Sequence, residues 1–251
     1  MPQLHALNSK AHGALKVVDN ADLLFAKSNH ILPLRVSEVG QASTSFPVFL
    51  MKDGNSGLWR LTVVTSFERG SNLFVADNQW HANYKPTAMQ AFPFFLMNAE
   101  GEQQGYTVGI DPESPAFSST SGDTIFDSKG NANEALQRAT SLLQADIQND
   151  IQTYQFGKAM AELDLCRSID IVLQKQDGST ETIQGLCTID QDKFNTLSIE
   201  QLAELREKGY LMPIHAMLMS VFQLNALVRL SSTRDDVATI AQVKLSATKA
   251  L

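Results

Sequence analysis

The densest group of side chains suited to ligand binding lies within residues 78–97. Trp80 and Tyr84 each combine an apolar ring with a polar hydrogen, and His81 belongs to the residue type that most readily exchanges a proton near neutral pH. Asp111, at the end of a later predicted strand, adds a carboxylate. We predict that Trp80, His81, Tyr84 and Asp111 bind a ligand in a cleft between two lobes. A partly exposed turn residue beside Trp80 is the alternative interpretation of His81.

The remaining histidines do not form a metal-binding pattern. His5, His12, His30 and His215 are scattered, and none has the short-range spacing of an H-E-x-x-H motif. We therefore predict no metal and no cofactor. His215 lies in an apolar segment, where a core histidine hydrogen-bonded to backbone is the expected interpretation.

Two acidic pairs are the other candidates for chemistry. Asp146 and Asp150 lie one helical turn apart, and Asp235 precedes Asp236. The E-x-x-H partner of a bundle metal site is missing from the sequence, so we interpret Asp146 and Asp150 as a solvated helix face. The sequence also lacks a nucleophile elbow, a P-loop and a dinucleotide fingerprint. It therefore favours a protein without catalytic activity, and an enzyme whose site is assembled from distant positions stays open.

The composition restricts partners and location. The formal net charge is -7 and the sequence pI is about 5.2, which argues against a nucleic-acid partner. The first residues lack the basic and apolar regions of a Sec-type signal peptide, and no segment approaches the roughly 20 uninterrupted apolar residues of a membrane span. We expect a cytoplasmic protein without a transmembrane segment, and export by a signal-independent route stays open.

The pattern of apolar runs and turns predicts an α+β fold within a single domain, residues 1–251. Short apolar runs between turn clusters predict an antiparallel β-meander lobe over residues 29–111. A mainly helical lobe over residues 131–230 follows and contains one inserted β-hairpin. Its first helix begins after Asn133 and is expected to bend near Phe156–Gly157. Its last helix is apolar around most of its circumference and is expected to be central, and the last twenty residues are expected to form a small tail.

The inserted hairpin is flanked by the two cysteines of the chain, Cys166 and Cys187. A three-residue Asp-Gly-Ser loop would pair Leu173 with Ile183 and Ile169 with Cys187, which matches apolar side chains. Cys166 is then an odd number of residues from Ile169 and faces the other side of the sheet. We expect two unlinked, partly buried thiols.

Five segments, taken in order, carry a family resemblance: "FPVFLMKDG", "GSNLFVADNQWHANYKPTAMQAFPFFLM", "GIDPESP", "TIFDSKGNANEALQRATSLL" and "LREKGYLMPIHAMLMSV". Together they resemble the SapC family of bacterial proteins over about residues 8–230. The residues that match the family pattern are Asn72, Leu73, Phe74, Val75, Trp80, Tyr84, Pro86, Phe92, Pro93, Phe94, Ile110 and Asp111. His215 departs from the pattern, because it stands before Ala216 where the family places histidine after alanine.

The resemblance implies a non-enzymatic protein of a Gram-negative bacterium, with a structural or interaction role linked to the surface layer or envelope. Such a role implies a protein partner or self-association. It also implies surface association, beside the cytoplasmic location expected from the missing signal peptide. The alternative is a cytoplasmic accessory protein that binds a small ligand or peptide.

Overall fold

The structure, a computed structural model, describes residues 3–54, 56–98 and 105–248. Its helices are α1 (Ser9–His12), α2 (Ala21–Lys27), α3 (Val39–Ala42), α4 (Thr87–Ala91), α5 (Glu134–Glu162), α6 (Gln191–Phe194), α7 (Ile199–Glu207), α8 (Leu211–Ser220) and α9 (Leu224–Ser231). Its strands are β1 (His5–Ala6), β2 (Lys16–Val17), β3 (Ile31–Leu34), β4 (Val48–Lys52), β5 (Trp59–Val64), β6 (Val75–Ala76), β7 (Gln79–Trp80), β8 (Phe95–Asn98), β9 (Tyr106–Ile110), β10 (Phe117–Ser118), β11 (Asp123–Thr124), β12 (Cys166–Lys175), β13 (Thr180–Ile189) and β14 (Ile240–Ala247). Short 3₁₀ turns cover Val36–Glu38 and Val221–Gln223. Helices combined with antiparallel sheets confirm the predicted α+β fold.

The chain divides into two compact units. Unit 1 comprises Met1–Ala26 and Thr87–Gln148, and unit 2 comprises Lys27–Pro86 and Asn149–Leu251. Each unit therefore takes residues from both of the predicted lobes. The single domain over residues 1–251 stays a prediction.

Unit 1 is built from two small antiparallel sheets and the start of α5. The sheets have the strand orders β1-β9-β8 and β10-β2-β11. The β8–β9 hairpin confirms the predicted pairing, although the predicted turn at residues 99–102 lies outside the described residues. The buried apolar cluster of unit 1 consists of Ala91, Phe94, Ile110, Ile125, Leu136, Ala139 and Leu143.

Unit 2 is organised around one six-stranded antiparallel sheet with the order β14-β12-β13-β4-β5-β3. The predicted hairpin β12–β13 joins this sheet through β4, so it shares a sheet with residues 48–64. The expected C-terminal tail is wrong, because β14 pairs with β12 along most of its length and forms an edge of the sheet. Strand propensity depends strongly on the neighbouring strand, so the sequence of β14 alone does not reveal this pairing.

The register predicted for the hairpin is wrong. Leu173 lies opposite Glu181, and Ile169 lies opposite Leu186. The turn closes one residue earlier than expected, since the Lys175 N–H donates to the Ser179 carbonyl at 2.8 Å. The register then shifts between Ile169 and Ile171 of β12, beside a glycine of β13 with a positive φ of 87°. A bulge at this left-handed residue adds one residue to β13, which the apolar pattern does not reveal.

The long helix α5 begins as predicted and continues without interruption to Glu162. The Leu136 N–H donates to the Asn133 side-chain oxygen at 2.9 Å, which confirms the N-terminal cap. The hydrogen-bonded helix runs through Phe156–Gly157, where the sequence predicts a bend. A Cβ at Gly157 would lie 2.6 Å from the Trp59 Cβ, so the glycine serves the close approach of helix and strand.

The helix α7 also begins as its sequence predicts. The Ser198 hydroxyl accepts from the Gln201 N–H at 3.2 Å, and the Gln201 side chain accepts from the Ser198 N–H at 2.9 Å. This reciprocal pair is a capping box. Gly209, with a positive φ of 73°, follows the helix and separates it from α8.

Candidate functional site

Trp80 packs against two buried phenylalanines of unit 2. Its ring centroid lies 6.0 Å from those of Phe46 and Phe74, and the two phenylalanine rings meet edge to face at 4.7 Å. The short β6–β7 ladder, in which Val75 pairs with Trp80, places the indole there. Its Nε1–H donates to the Tyr84 carbonyl at 2.9 Å. Both the ring and the polar hydrogen of Trp80 therefore have partners within the protein.

The hydroxyl of Tyr84 also has a protein partner. It donates to Oε1 of Glu38 at 2.6 Å, and Oε2 of Glu38 accepts from the Arg35 backbone N–H at 2.8 Å. Glu38 is only 6% exposed, and a buried carboxyl group needs such donors to offset its desolvation. Tyr84 and Glu38 are 46 positions apart, so their pairing leaves no short-range sequence signal.

The other two predicted site residues are placed differently. His81 is exposed, in agreement with its interpretation as a turn residue, and its Nε2 lies 3.1 Å from the Ala76 carbonyl. Asp111 is half-buried in unit 1, where its side chain accepts from the Glu113 N–H at 3.2 Å. The structure thus brings Trp80 and Tyr84 into contact beside His81, all in unit 2, whereas Asp111 belongs to unit 1. Ligand binding by these four residues stays a prediction.

Both cysteines are free thiols. The corrected register places Cys187 opposite Ser168, and Cys166 lies two residues from Ser168. The two thiols therefore share one face of the sheet, and the prediction of opposite faces is wrong. Burial, with smaller contributions from Cys187 and Asp164, raises the pKa of Cys166 to about 12. A thiol held in its protonated form is a poor nucleophile at neutral pH.

Two expectations about isolated ionisable residues are also wrong. His215 is exposed and contacts the Phe194 ring edge to face at 5.3 Å, because the buried side of α8 consists of other residues. Asp146 is only 8% exposed, because it follows the buried Leu143 by one turn of α5. Asp150 is exposed as expected and forms an ion pair with Arg35 at 2.5 Å.

Asp236 forms an ion pair with a neighbouring arginine. The Arg234 guanidinium donates to both carboxylate oxygens of Asp236, at 2.8 and 2.7 Å. This bidentate pair lowers the pKa of Asp236, and a third donor of Arg234 reaches the Val75 carbonyl. Among the described residues, no group of three or more His, Cys, Asp or Glu side chains could hold a metal ion.

The surface of unit 2 carries apolar side chains of the helical segment that was expected to be central. Met212, Met219 and Phe222 are 55, 67 and 68% exposed, and His215 beside them is exposed too. Residues spaced by three, four or seven positions share one side of a helix, so Met212, His215 and Met219 of α8 line up with Phe222 of the 3₁₀ turn that follows. We call these four residues the α8 stripe. The expectation that this helix is central is wrong, because a helix that is apolar all round does not reveal which sides are covered.

The helical run Leu211–Ser231 is long and apolar enough to cross a membrane by length and composition alone, and 33% of the tested window is buried inside the protein. A single such run is weak evidence for a membrane span, since core helices meet the same criteria.

The fold and these sites define an α+β protein with an aromatic cluster, two unlinked thiols that are at least partly buried, and an exposed apolar helix face. The model of the SapC family matches residues 7–227. The chain therefore belongs to the SapC family. No curated protein and no solved structure matches it.

Proposed function

We propose that this chain is a non-enzymatic protein with a structural or interaction role linked to the surface layer or envelope. The observation that carries the proposal is the α8 stripe. Soluble proteins seldom expose several large apolar side chains side by side unless the patch meets another surface. Methionine is also common at surfaces that bind partners, because its flexible thioether adapts to different shapes.

Self-association is the simplest form of this role. The stripe carries no carboxylate, so two copies can bring it together without adding to the repulsion expected from a net charge of -7. Complete burial of a Met or Phe side chain stabilises by about 1.5–3 kcal/mol, so the exposed fractions of Met212, Met219 and Phe222 on two copies leave roughly 6–11 kcal/mol to gain.

That gain is similar to the roughly 4–15 kcal/mol that association costs. We therefore expect a weak contact between two copies. Repetition of a weak contact within a larger assembly raises its strength through effective concentration, which suits a layer or lattice component.

Sedimentation velocity over a wide range of protein concentration tests this proposal. The wild-type chain should sediment faster as its concentration increases, and the double variant Met219→Ser/Phe222→Ser should remain a monomer. Leu58→Ser is the matched control, because Leu58 is also exposed (41%) but lies outside α8 and α9. A wild-type chain that stays strictly monomeric at high concentration argues against a structural role through self-association.

The state of the candidate catalytic groups supports a non-enzymatic role. The most plausible nucleophile, Cys166, is held protonated, and the buried Glu38 carboxyl accepts hydrogen bonds from Tyr84 and Arg35. A cytoplasmic location remains part of the proposal, with surface association implied by the family. Fractionation of cells that express a tagged chain distinguishes these two locations.

The alternative role, a small-ligand or peptide-binding accessory protein that uses Trp80, His81, Tyr84 and Asp111, stays a prediction. His81→Ala tests it most cleanly, because this side chain is exposed and its loss should leave the fold intact. A ligand of that site should stabilise the wild-type chain more than the variant by mass action.

A further inference from the structure

Unit 2 contains a cavity of about 720 Å³ away from the aromatic cluster. This volume lies within the range of about 300–1,000 Å³ that small-molecule sites occupy. The cavity opens where the six-stranded sheet divides. Among the described residues, β13 pairs with β4 only at Leu186–Met51 and Cys187–Leu50. The part of β13 that precedes the bulge therefore does not pair with β4.

The floor of the cavity is apolar. Ile31, Met51, Leu173 and Ile183 lie on one face of the sheet, since opposed residues and residues two apart share a face. Leu173 is fully buried, and the other three side chains are half-buried towards the cavity. Such a surface gains free energy by covering an apolar ligand.

A fixed turn between Ser66 and Leu73 forms one wall. The Ser66 and Ser71 hydroxyls lie 2.6 Å apart, and the Ser71 hydroxyl donates to the Glu68 carbonyl at 2.9 Å. The Leu73 N–H closes the turn by donating to the Thr65 carbonyl at 3.1 Å. These bonds position the exposed tip of the turn before any ligand arrives, which lowers the cost of binding.

The four charged side chains of the lining, Glu68, Arg69, Lys175 and Glu181, sum to no net charge, but they differ in their partners. Lys175 forms an ion pair with Glu181 at 2.9 Å, and Glu68 accepts from the Ala238 N–H at 3.3 Å. Arg69 makes no hydrogen bond or ion pair with any residue that the structure describes, although its charge reaches His30. An anionic group is the complement of this free guanidinium.

We propose that this cavity binds an amphiphile with an anionic head group, whose tail covers the apolar floor and whose head pairs with Arg69. The site is separate from the α8 stripe and from Trp80, so the inference does not depend on self-association. Carboxylate and phosphate heads share the required chemistry.

Titration calorimetry on the full chain with dodecanoate, dodecyl phosphate and dodecanol tests the proposal. At least one of the two anionic probes should bind about 10-fold more tightly than the alcohol, the order expected for one charge-assisted contact. Arg69→Ala should remove this advantage and leave dodecanol binding unchanged. Arg206→Ala, which changes an exposed arginine on α7, is the matched control and should bind like the wild-type chain.

Three results would overturn the proposal. Equal affinity for the alcohol and both anions would show an apolar cavity without head-group recognition. An unchanged preference in Arg69→Ala would place the head group elsewhere, and no binding of any probe would remove the site altogether.

His30 offers a second readout that loss of structure would not imitate. Burial, and then the charge of Arg69, lower the pKa of His30, and the other charged side chains of the lining are Glu68, Lys175 and Glu181. A bound anion should raise the pKa of His30 in an NMR titration, and dodecanol should not. A His30 titration that is the same with and without the bound anion contradicts the assigned position of the head.

Discussion

Removing the Tyr84 hydroxyl separates a structural role of this residue from a binding role. Tyr84→Phe keeps the ring but deletes the 2.6 Å hydrogen bond to the buried Glu38 carboxyl. A hydrogen bond to a charged group contributes about 1.5–3 kcal/mol, and Tyr84 is half-buried, so we expect a loss of about 2 kcal/mol in the free energy of unfolding. For a chain of this size, that loss lowers Tm by about 4–8 °C.

The assay is urea and thermal unfolding followed by circular dichroism. Tyr154→Phe is the matched control, because Tyr154 is 44% exposed and its hydroxyl makes no hydrogen bond with the described residues. The control should stay within about 0.5 kcal/mol of the wild-type chain. If Tyr84→Phe is as stable as the control, the hydroxyl does not support the fold, and its availability for a ligand becomes the better explanation.

Three further changes test the packing and the thiol chemistry of unit 2. Gly157→Ala should destabilise the chain in urea unfolding, because the new Cβ would lie 2.6 Å from the Trp59 Cβ. Alanine is normally favoured over glycine in helices by about 1 kcal/mol, so a stabilised variant would contradict this close approach. Ser220→Ala should lower the free energy of unfolding by about 1–3 kcal/mol, since the buried Ser220 hydroxyl accepts from the Val48 N–H at 2.9 Å. Unchanged thermal stability would show that this hydrogen bond contributes little. Cys166 should resist iodoacetamide at pH 8 in the native chain and react after unfolding, because burial raises its pKa to about 12; mass spectrometry that finds rapid native alkylation would contradict its burial.

Local signals in the sequence predicted the starts of helices. Asn133 and Ser198 cap α5 and α7 through hydrogen bonds that span only three residues, so the residues that form each cap stand close together in the sequence. The sequence also predicted the α+β class, because apolar residues recur with different periods in strands and in helices.

Features that depend on distant partners were not predicted. The hairpin register depends on Gly185, whose left-handed backbone adds a residue to β13. Strand β14 is defined by its pairing with β12, and Glu38 finds Tyr84 across 46 positions. The covered sides of α8 depend on which elements pack against it, so the exposure of Phe222 could not be read from its apolar sequence.

Photo-crosslinking from position 222 tests the proposed interaction surface most directly. Phe222 is replaced by p-benzoylphenylalanine, the protein is irradiated at high concentration, and the adducts are mapped by mass spectrometry. Because a two-fold contact joins the same surface of both copies, we expect cross-links to residues of the α8 stripe on a second copy. The absence of adducts between copies, or adducts that map outside residues 211–231, would contradict self-association through this surface.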